Sequence, residues 1–486
     1  MPAGPFRPPH SIFRIGKAPR CSRSPGRGRS AKVAFGLAAA ALSAAVLLPG
    51  CPRGNESDAG AAAAAGPAGR VVLFGIDGAD WQVIDPLIAA GRMPNMARVV
   101  REGARGVLQS MEPSASPALW TTIATGVTPD HHGIHGFITE EGQGPQGKGP
   151  EGKGTGSAVP AGSHPGEGEG AGGGPGIRPV TSGMRRAPAF WNILGAHDKK
   201  TGVVGWLVTW PAEPVQGFVV SSYLPYVYNW STGRPLKGTI VSGIPHQTFP
   251  EGLLDQLEQY KVRPADLDPA LVARFYDRSA LPGLTPLDRE CVVGFDWSLA
   301  SDETYRRVAR HLFDAYPVDL FAVYFGGVDV ASHRFWRFAH PQEFEGVGPE
   351  EIRALGGVID AYYVWMDDAL GEYLRALGPR DTLVVLSDHG FKTVHIPDQP
   401  ATSGHHRLDG ILAMLGRGVP RGGRIEGARL VDVLPTILTL LDLPLAKTLE
   451  GNVPRGALEN SFVATHGRRQ VADYSGARPS PLDDTT

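Results

Sequence analysis

A doubly wound α/β fold around a mainly parallel sheet is predicted for this chain by three observations. Continuous apolar runs recur along it, helix-like stretches separate them, and carboxylates or histidines stand where the runs end. The first run, VVLFGI from Val71 to Ile76, reads as a strand buried on both faces, and Asp77 follows it directly. Comparable runs begin at Val203 (VVGWLV), Leu320 (LFAVYF), Thr382 (TLVVLS) and Ile411 (ILAML). The stretches PNMARVVREG, EEIRALGGVIDAYYVWMDDALGEYLRALG and VDVLPTILTLLDLP have helical patterning, so strands and helices alternate as in a parallel α/β sheet.

The chain ahead of this region reads as an export signal. Arg7, Arg14, Lys17, Arg20, Arg23, Arg27, Arg29 and Lys32 precede the apolar run Val33 to Leu48, which is shorter than the roughly 20 residues a membrane span needs. Residues 1–50 are therefore expected to be a signal peptide. Leu48-Pro49-Gly50-Cys51 resembles a bacterial lipobox, which implies cleavage before Cys51, acylation of its sulfur and a lipid-anchored protein of the cell envelope, in the periplasm and on the outer membrane. An ordinary signal peptide with an incidental cysteine is the competing reading. Residues 51–69 read as a flexible tether, and 70–460 as one catalytic domain. That domain is interrupted at 140–183 by a Gly- and Pro-dense insert too poor in apolar residues to fold, and residues 461–486 are expected to fray.

The bulk properties exclude several classes. The formal net charge is −2 with 20% charged residues, so no global basic footprint for nucleic acid exists and any phosphate recognition must be local. The three cysteines, Cys21, Cys51 and Cys291, fit neither a CxxC metal pair nor a disulfide framework, and Cys291 reads as a buried apolar residue.

Ligands of open α/β sheets bind at the carboxyl ends of strands. Asp77 ends the first strand, Asp329 follows LFAVYFGGV with His333 four residues on, and Asp388-His389 follows TLVVLS in SDHGF. His406 lies in SGHHRLDGI with His405 as its alternative. Three aspartates and three histidines form an oxygen/nitrogen donor set suited to zinc or manganese and large enough for two ions. Asp329 and His333, at i and i+4, share one helical face and can chelate a single ion. In SASPALWTTIATG, Ser116 precedes Pro117, so it is expected at the cap of a helix whose free N–H groups can receive a phosphate, with a hydroxyl that metal contact can ionise. Trp120 and Phe137 are expected to border a substrate. Taken singly, Asp77 and Ser116 read more readily as helix caps than as functional residues. His131, His132 and His135 read as structural, and His395 as a lesser ligand candidate.

Taken together, FGIDGADW, SPALWTTIATG with HGIHGF, VDVASHRFW, SDHGF, GHHRLDGI and DVLPTILTLLDLP resemble the type I phosphodiesterase/nucleotide pyrophosphatase branch of the alkaline phosphatase superfamily, in family order from about Val71 to Gly451. The resemblance implies an alkaline-phosphatase-like α/β/α sandwich with an inserted cap region, and a dizinc site. One ion would be held by Asp329, His333 and His406, the other by Asp77, Asp388 and His389. Ser116 between them would form a covalent intermediate in the hydrolysis of small phosphodiesters or pyrophosphates. Two departures touch nucleotide specificity. Nucleotide-hydrolysing members commonly carry a threonine nucleophile and an asparagine soon after it, where this chain has Ser116 and Phe137. Ser116-Pro117-Ala118-Leu119-Trp120 does not fit the C/S-x-P-x-R pattern of sulfatases. A transferase passing a phospho-alcohol group to a cell-envelope acceptor would share all six ligands, and a non-catalytic surface lipoprotein would keep the fold for binding alone.

Overall fold

The computed structural model describes residues 69–140, 177–225, 227–228, 238–239, 244–396 and 401–477. The leader, Cys51, the tether and the interior of the Gly-rich insert lie outside the described residues.

The central sheet has nine strands in the order Gly423–Arg429, Ala104–Gln109, Asp409–Gly416, Thr382–Leu386, Val71–Ile76, Leu320–Phe325, Thr201–Val204, Gly217–Val220 and Thr248–Phe249. Asp409–Gly416 is antiparallel to both its neighbours and Thr248–Phe249 is antiparallel to Gly217–Val220. Every other pairing is parallel, as the sequence predicts.

Side chains alternate across a strand, and here the alternation feeds two cores. Val72, Phe74 and Ile76 enter one core, with residues from the helices Pro94–Glu102, Pro286–Ala315 and Val358–Ala376. Val71 and Leu73 enter the other, with residues from Ser116–Thr125, Phe190–Ala196 and Val433–Leu440. Helices thus cover both faces of the sheet, giving the three-layer α/β/α sandwich, and this is why the central strands are apolar throughout.

Four boundaries differ from the sequence reading, each for a local reason. The VVGWLV run is a strand only to Val204, because Gly205 turns the backbone at φ +72° against the ring of Tyr305. The long helical stretch from Glu350 is two helices, Pro349–Leu355 and Val358–Ala376, broken at the weak helix formers Gly356 and Gly357. The insert closes earlier than 183. Ile177–Pro179 pairs antiparallel with Ile138–Glu140, and a 3₁₀ turn follows at Ser182–Met184. The final stretch is docked rather than frayed as far as residue 477. Asn460–His466 is helical, Gln470–Val471 pairs with Leu445–Ala446, and the Tyr474 hydroxyl donates to Pro444 O at 2.7 Å while accepting from Ala446 N at 3.0 Å. Among the described residues, no helix is long and apolar enough to cross a membrane.

Candidate metal centre

The strands Thr382–Leu386, Val71–Ile76 and Leu320–Phe325 lie side by side in register, so their carboxyl ends finish level. Asp77 leaves the middle one, and its N–H donates to Phe325 O at 2.9 Å. Gly78 then turns at φ +71°. A Cβ there would meet the Phe391 ring at 2.6 Å and the Asp329 backbone at 3.0 Å, so only glycine lets these segments close on each other. Leu320–Phe325 leads into the helix Gly327–Ala339, whose first turns present Asp329 and His333. Thr382–Leu386 leads to Asp388 and His389, both fully buried.

His406 arrives on a hairpin in which Gly390–Thr393 pairs antiparallel with Gly404–Arg407. Phe391 stands opposite His406, and Lys392 opposite His405. Because neighbours on a strand point to opposite faces, His406 shares the Phe391 face and His405 the Lys392 face. The Phe391 ring packs against His333, His389 and His406, which marks its face as the one turned to the cluster.

Six side chains therefore converge. His333 Nε2 lies 3.3 Å from Asp329 Oδ1 and 3.0 Å from His406 Nε2, and His406 Nε2 lies 3.4 Å from Asp329 Oδ1. His389 Nε2 lies 3.2 Å from Asp77 Oδ1 and 3.6 Å from Asp388 Oδ2. It is also 3.7 Å from Asp329 Oδ1, and its ring stacks on His406 at 3.6 Å, so the two groups adjoin. Ligand atoms around one tetrahedral zinc are about 3.3 Å apart, the spacing found in both groups.

The donor chemistry fits metal ions. His333, His406 and His389 each place Nδ1 near a backbone carbonyl, Gly404 O at 2.8 Å, Ser114 O at 2.7 Å and Gly390 O at 3.1 Å. A carbonyl only accepts, so each ring keeps an N–H at Nδ1 and turns its Nε2 atom inward. His333 and His406 bring their Nε2 atoms to 3.0 Å of each other, a placement suited to sharing one cation. Among the described residues, Asp329 Oδ1, Asp388 Oδ2 and His389 Nε2 are moreover buried without a hydrogen-bond partner, each a cost of roughly 1–3 kcal/mol unless a ligand satisfies it.

Residues 71–428 match the family model for type I phosphodiesterase / nucleotide pyrophosphatase. The chain belongs to this family. Its mostly parallel nine-stranded sheet with helices on both faces is the α/β/α sandwich the sequence reading expects of that family. Among solved structures it is similar to phosphonoacetate hydrolase from Sinorhizobium meliloti 1021 in complex with phosphonoformate, at 19% identity and a TM-score of 0.35, over 68% of this chain and 58% of that one. The same hydrolase in complex with phosphonoacetate aligns at 20% identity and a TM-score of 0.35, with equal coverage. The chain thus spans less than two thirds of that protein's length. No curated protein matches it.

The electrostatics of this family member follow from packing three aspartates around three imidazoles. Burial works against a charged His389 ring, but Asp388 and Asp77 outweigh it and push the imidazole up to about 10. Burial, with Asp77 beside it, raises the Asp388 carboxyl well above the usual carboxylate range. Burial also acts to raise Asp329, yet His333 and His406 hold it well below that range. Burial and the neighbouring His389 hold His406 down to about 4, against the pull of Asp329. Three carboxyl groups packed this closely around three imidazoles make a setting in which positive charge is favoured.

Ser116 meets this cluster with a one-residue correction. The residue at the helix cap is Ala115, and Ser116 is the first residue of the helix Ser116–Thr125. Its hydroxyl donates to Asp77 Oδ1 at 3.4 Å. Trp120 is corrected outright. It is fully buried in the core beneath the cluster and offers a substrate no surface. Phe137 is half-buried at the start of the Ile138–Glu140 strand. His132 is structural, as expected. Its Nε2 is 3.0 Å from Thr122 Oγ1, its Nδ1 accepts from Ile134 N at 3.1 Å, and burial holds it down to about 3. His395 packs on Phe344.

The sequence reading missed Asp80. Its buried carboxylate caps the helix Trp81–Ala89 through Gln82 N at 2.8 Å, accepts Phe391 N at 2.9 Å, and pairs with Arg407 at 2.8 Å. It therefore ties the loop carrying Asp77 to the hairpin carrying His406. Only its position three residues after Asp77 hinted at this, and a simple helix cap explained it equally well from sequence.

Proposed function

We propose that this chain hydrolyses phosphodiesters or pyrophosphates at a two-metal site through a covalent Ser116 intermediate. The observation that carries the reading is the Ser116 hydroxyl on Asp77 Oδ1, an oxygen that also lies 3.2 Å from His389 Nε2. A nucleophile thus abuts one ligand group at the carboxyl edge of the sheet. Divalent ions, zinc by the donor set and manganese as the alternative, would supply positive charge that favours the Ser116 alkoxide and offsets charge on the phosphate oxygens. Asp77 Oδ1 orients the hydroxyl by accepting its proton in a hydrogen bond. With its proton released to solvent, Ser116 Oγ forms the Oγ–P bond as the P–O bond to the leaving group breaks, the departing oxygen takes up a proton from solvent, and water then cleaves the phosphoryl group from Ser116 and restores its O–H.

Substrate charge follows from which cations are engaged elsewhere. No Lys or Arg occurs between Arg105 and Lys148. Arg185 is buried in an ion pair with Glu213 at 2.7 Å, Arg407 is paired with Asp80, and Arg334 is wedged against Gly294 of the helix Pro286–Ala315. A monoester brings close to two charges and a diester one, so with Arg185, Arg334 and Arg407 engaged elsewhere the second charge would fall to Arg186 or Lys392 alone. The half-buried Phe137 is proposed to receive a diester's second substituent. An aryl phosphodiester is expected to show kcat/KM at least about tenfold above the matching monoester, worth ~1.4 kcal/mol of transition-state binding. Side-by-side kinetics with p-nitrophenyl mono- and diesters test this, and a monoester preference would overturn the phosphodiesterase reading.

The location proposed for the protein is the cell envelope, anchored through Cys51. Wild type is expected in the detergent phase of a phase-separation assay and Cys51→Ala in the aqueous phase. Identical partitioning of the two would refute the anchor.

A further inference from the structure

We infer that Trp120 and Tyr324 are positioning residues that hold Asp77 as a one-oxygen ligand and set the Ser116 helix against it. The inference rests on Asp77 being a metal ligand, as proposed above. Asp77 Oδ2 accepts the Trp120 indole N–H at 3.0 Å and the Tyr324 hydroxyl at 2.6 Å. Two donors occupy that oxygen's in-plane lone pairs, so Oδ1 alone is turned to Ser116 and His389.

The Ser116 helix makes this clamp a register device. Ser116 and Trp120 stand at i and i+4, one above the other on a single face. One helix therefore grips both oxygens of one carboxylate, Oδ1 through the serine and Oδ2 through the indole. A shift of the helix along or about its axis would break both contacts together.

The indole itself is tightly packed. It is fully buried, packs edge to face on Trp206 and on Tyr324 with ring centroids 4.9 Å apart in each case, and its backbone carbonyl accepts the Trp206 N–H at 3.2 Å. Its ring occupies the place where a side chain of the first strand would stand. A Cβ at Gly75 would lie 2.7 Å from two of its ring atoms. Gly75 is thus explained by the space the indole needs to reach Asp77, two residues further along the strand.

Tyr324→Phe removes one oxygen and keeps the packing, and Trp120→Phe removes the second donor. Tyr373→Phe is the control, since that buried hydroxyl has no hydrogen-bond partner among the described residues. Each protein would be stripped with chelator and titrated with Zn²⁺ by calorimetry, with thermal unfolding and diester kinetics on the same samples. Tyr324→Phe and Trp120→Phe are expected to weaken one of the two zinc sites about 10- to 100-fold and leave the other unchanged, as loss of a partner to a metal ligand does. They should also lower kcat with little change in KM, while Tyr373→Phe behaves as wild type. Unchanged zinc affinity and kcat in Tyr324→Phe would overturn the inference, and so would equal weakening of both sites in step with a lowered Tm. Asp77→Ala separates this from the underlying reading. Loss of one zinc there with no effect of Tyr324→Phe removes the clamp alone, whereas two tightly held zinc ions there remove Asp77 as a ligand and the clamp with it.

Discussion

Ser116→Ala is expected to leave the chain folded and metal-bound while turnover of its best diester falls by on the order of 10⁴- to 10⁶-fold. The structural cost is small. The serine is buried, its hydroxyl makes one long hydrogen bond of 3.4 Å to Asp77, and alanine is the better helix former at the first position of Ser116–Thr125. The chemical cost is large, because no Oγ–P bond can form and the covalent route is closed. A residual rate above the uncatalysed one is expected from the metals and binding groups, as when a nucleophile is removed from a triad enzyme. The check is kinetic and covalent together. Stopping wild type during turnover should give a phosphorus adduct that maps by mass spectrometry to the peptide holding Ser116, and the variant should give none. Turnover retained within tenfold, or an adduct on another residue, would move the nucleophile elsewhere.

How much of this was legible in the sequence depends on how local each determinant is. The central strands were readable, and LFAVYF ends at Phe325 as patterned, because a strand covered on both faces must be apolar at every position. Asp77, Asp329, Asp388 and His389 were readable for the same reason, since a polar group just past such a strand emerges at the sheet edge. The choice of His406 over His405 was open from sequence, because it depends on the register of a hairpin whose two strands are joined through residues 394–403. Trp120 was misread because closeness to Ser116 along the chain suggested closeness to substrate. What decides its place is a helical face one turn deeper and a glycine in another element that makes room for the ring. Asp80, Tyr324 and Arg407 act through partners more than 200 residues distant in sequence, and no local pattern marks them.

The other large effect concerns the metals, where single-ligand variants are expected to separate the two sites. Wild-type protein should carry about two ions per chain. Asp329→Ala should lose the one held with His333 and His406, because Asp329 Oδ1 is the oxygen that both imidazoles approach, at 3.3 and 3.4 Å. Asp77→Ala should lose the other, leaving Asp388 and His389 without their third partner. Elemental analysis after gel filtration reads the outcome directly, and a single ion in wild type or two in both variants would sink the division. Thermal unfolding gives a second measure, since an ion at a hundred times its Kd adds ~2.7 kcal/mol to stability and chelation removes that gain. Chelator should therefore lower the Tm of wild type most and of each variant less, as one site is already lost. His406→Ala and His405→Ala complete the test on neighbouring residues. His406 Nε2 is within 3.4 Å of Asp329 whereas His405 shares the Lys392 face of the hairpin, so the first substitution should cost an ion and the second none.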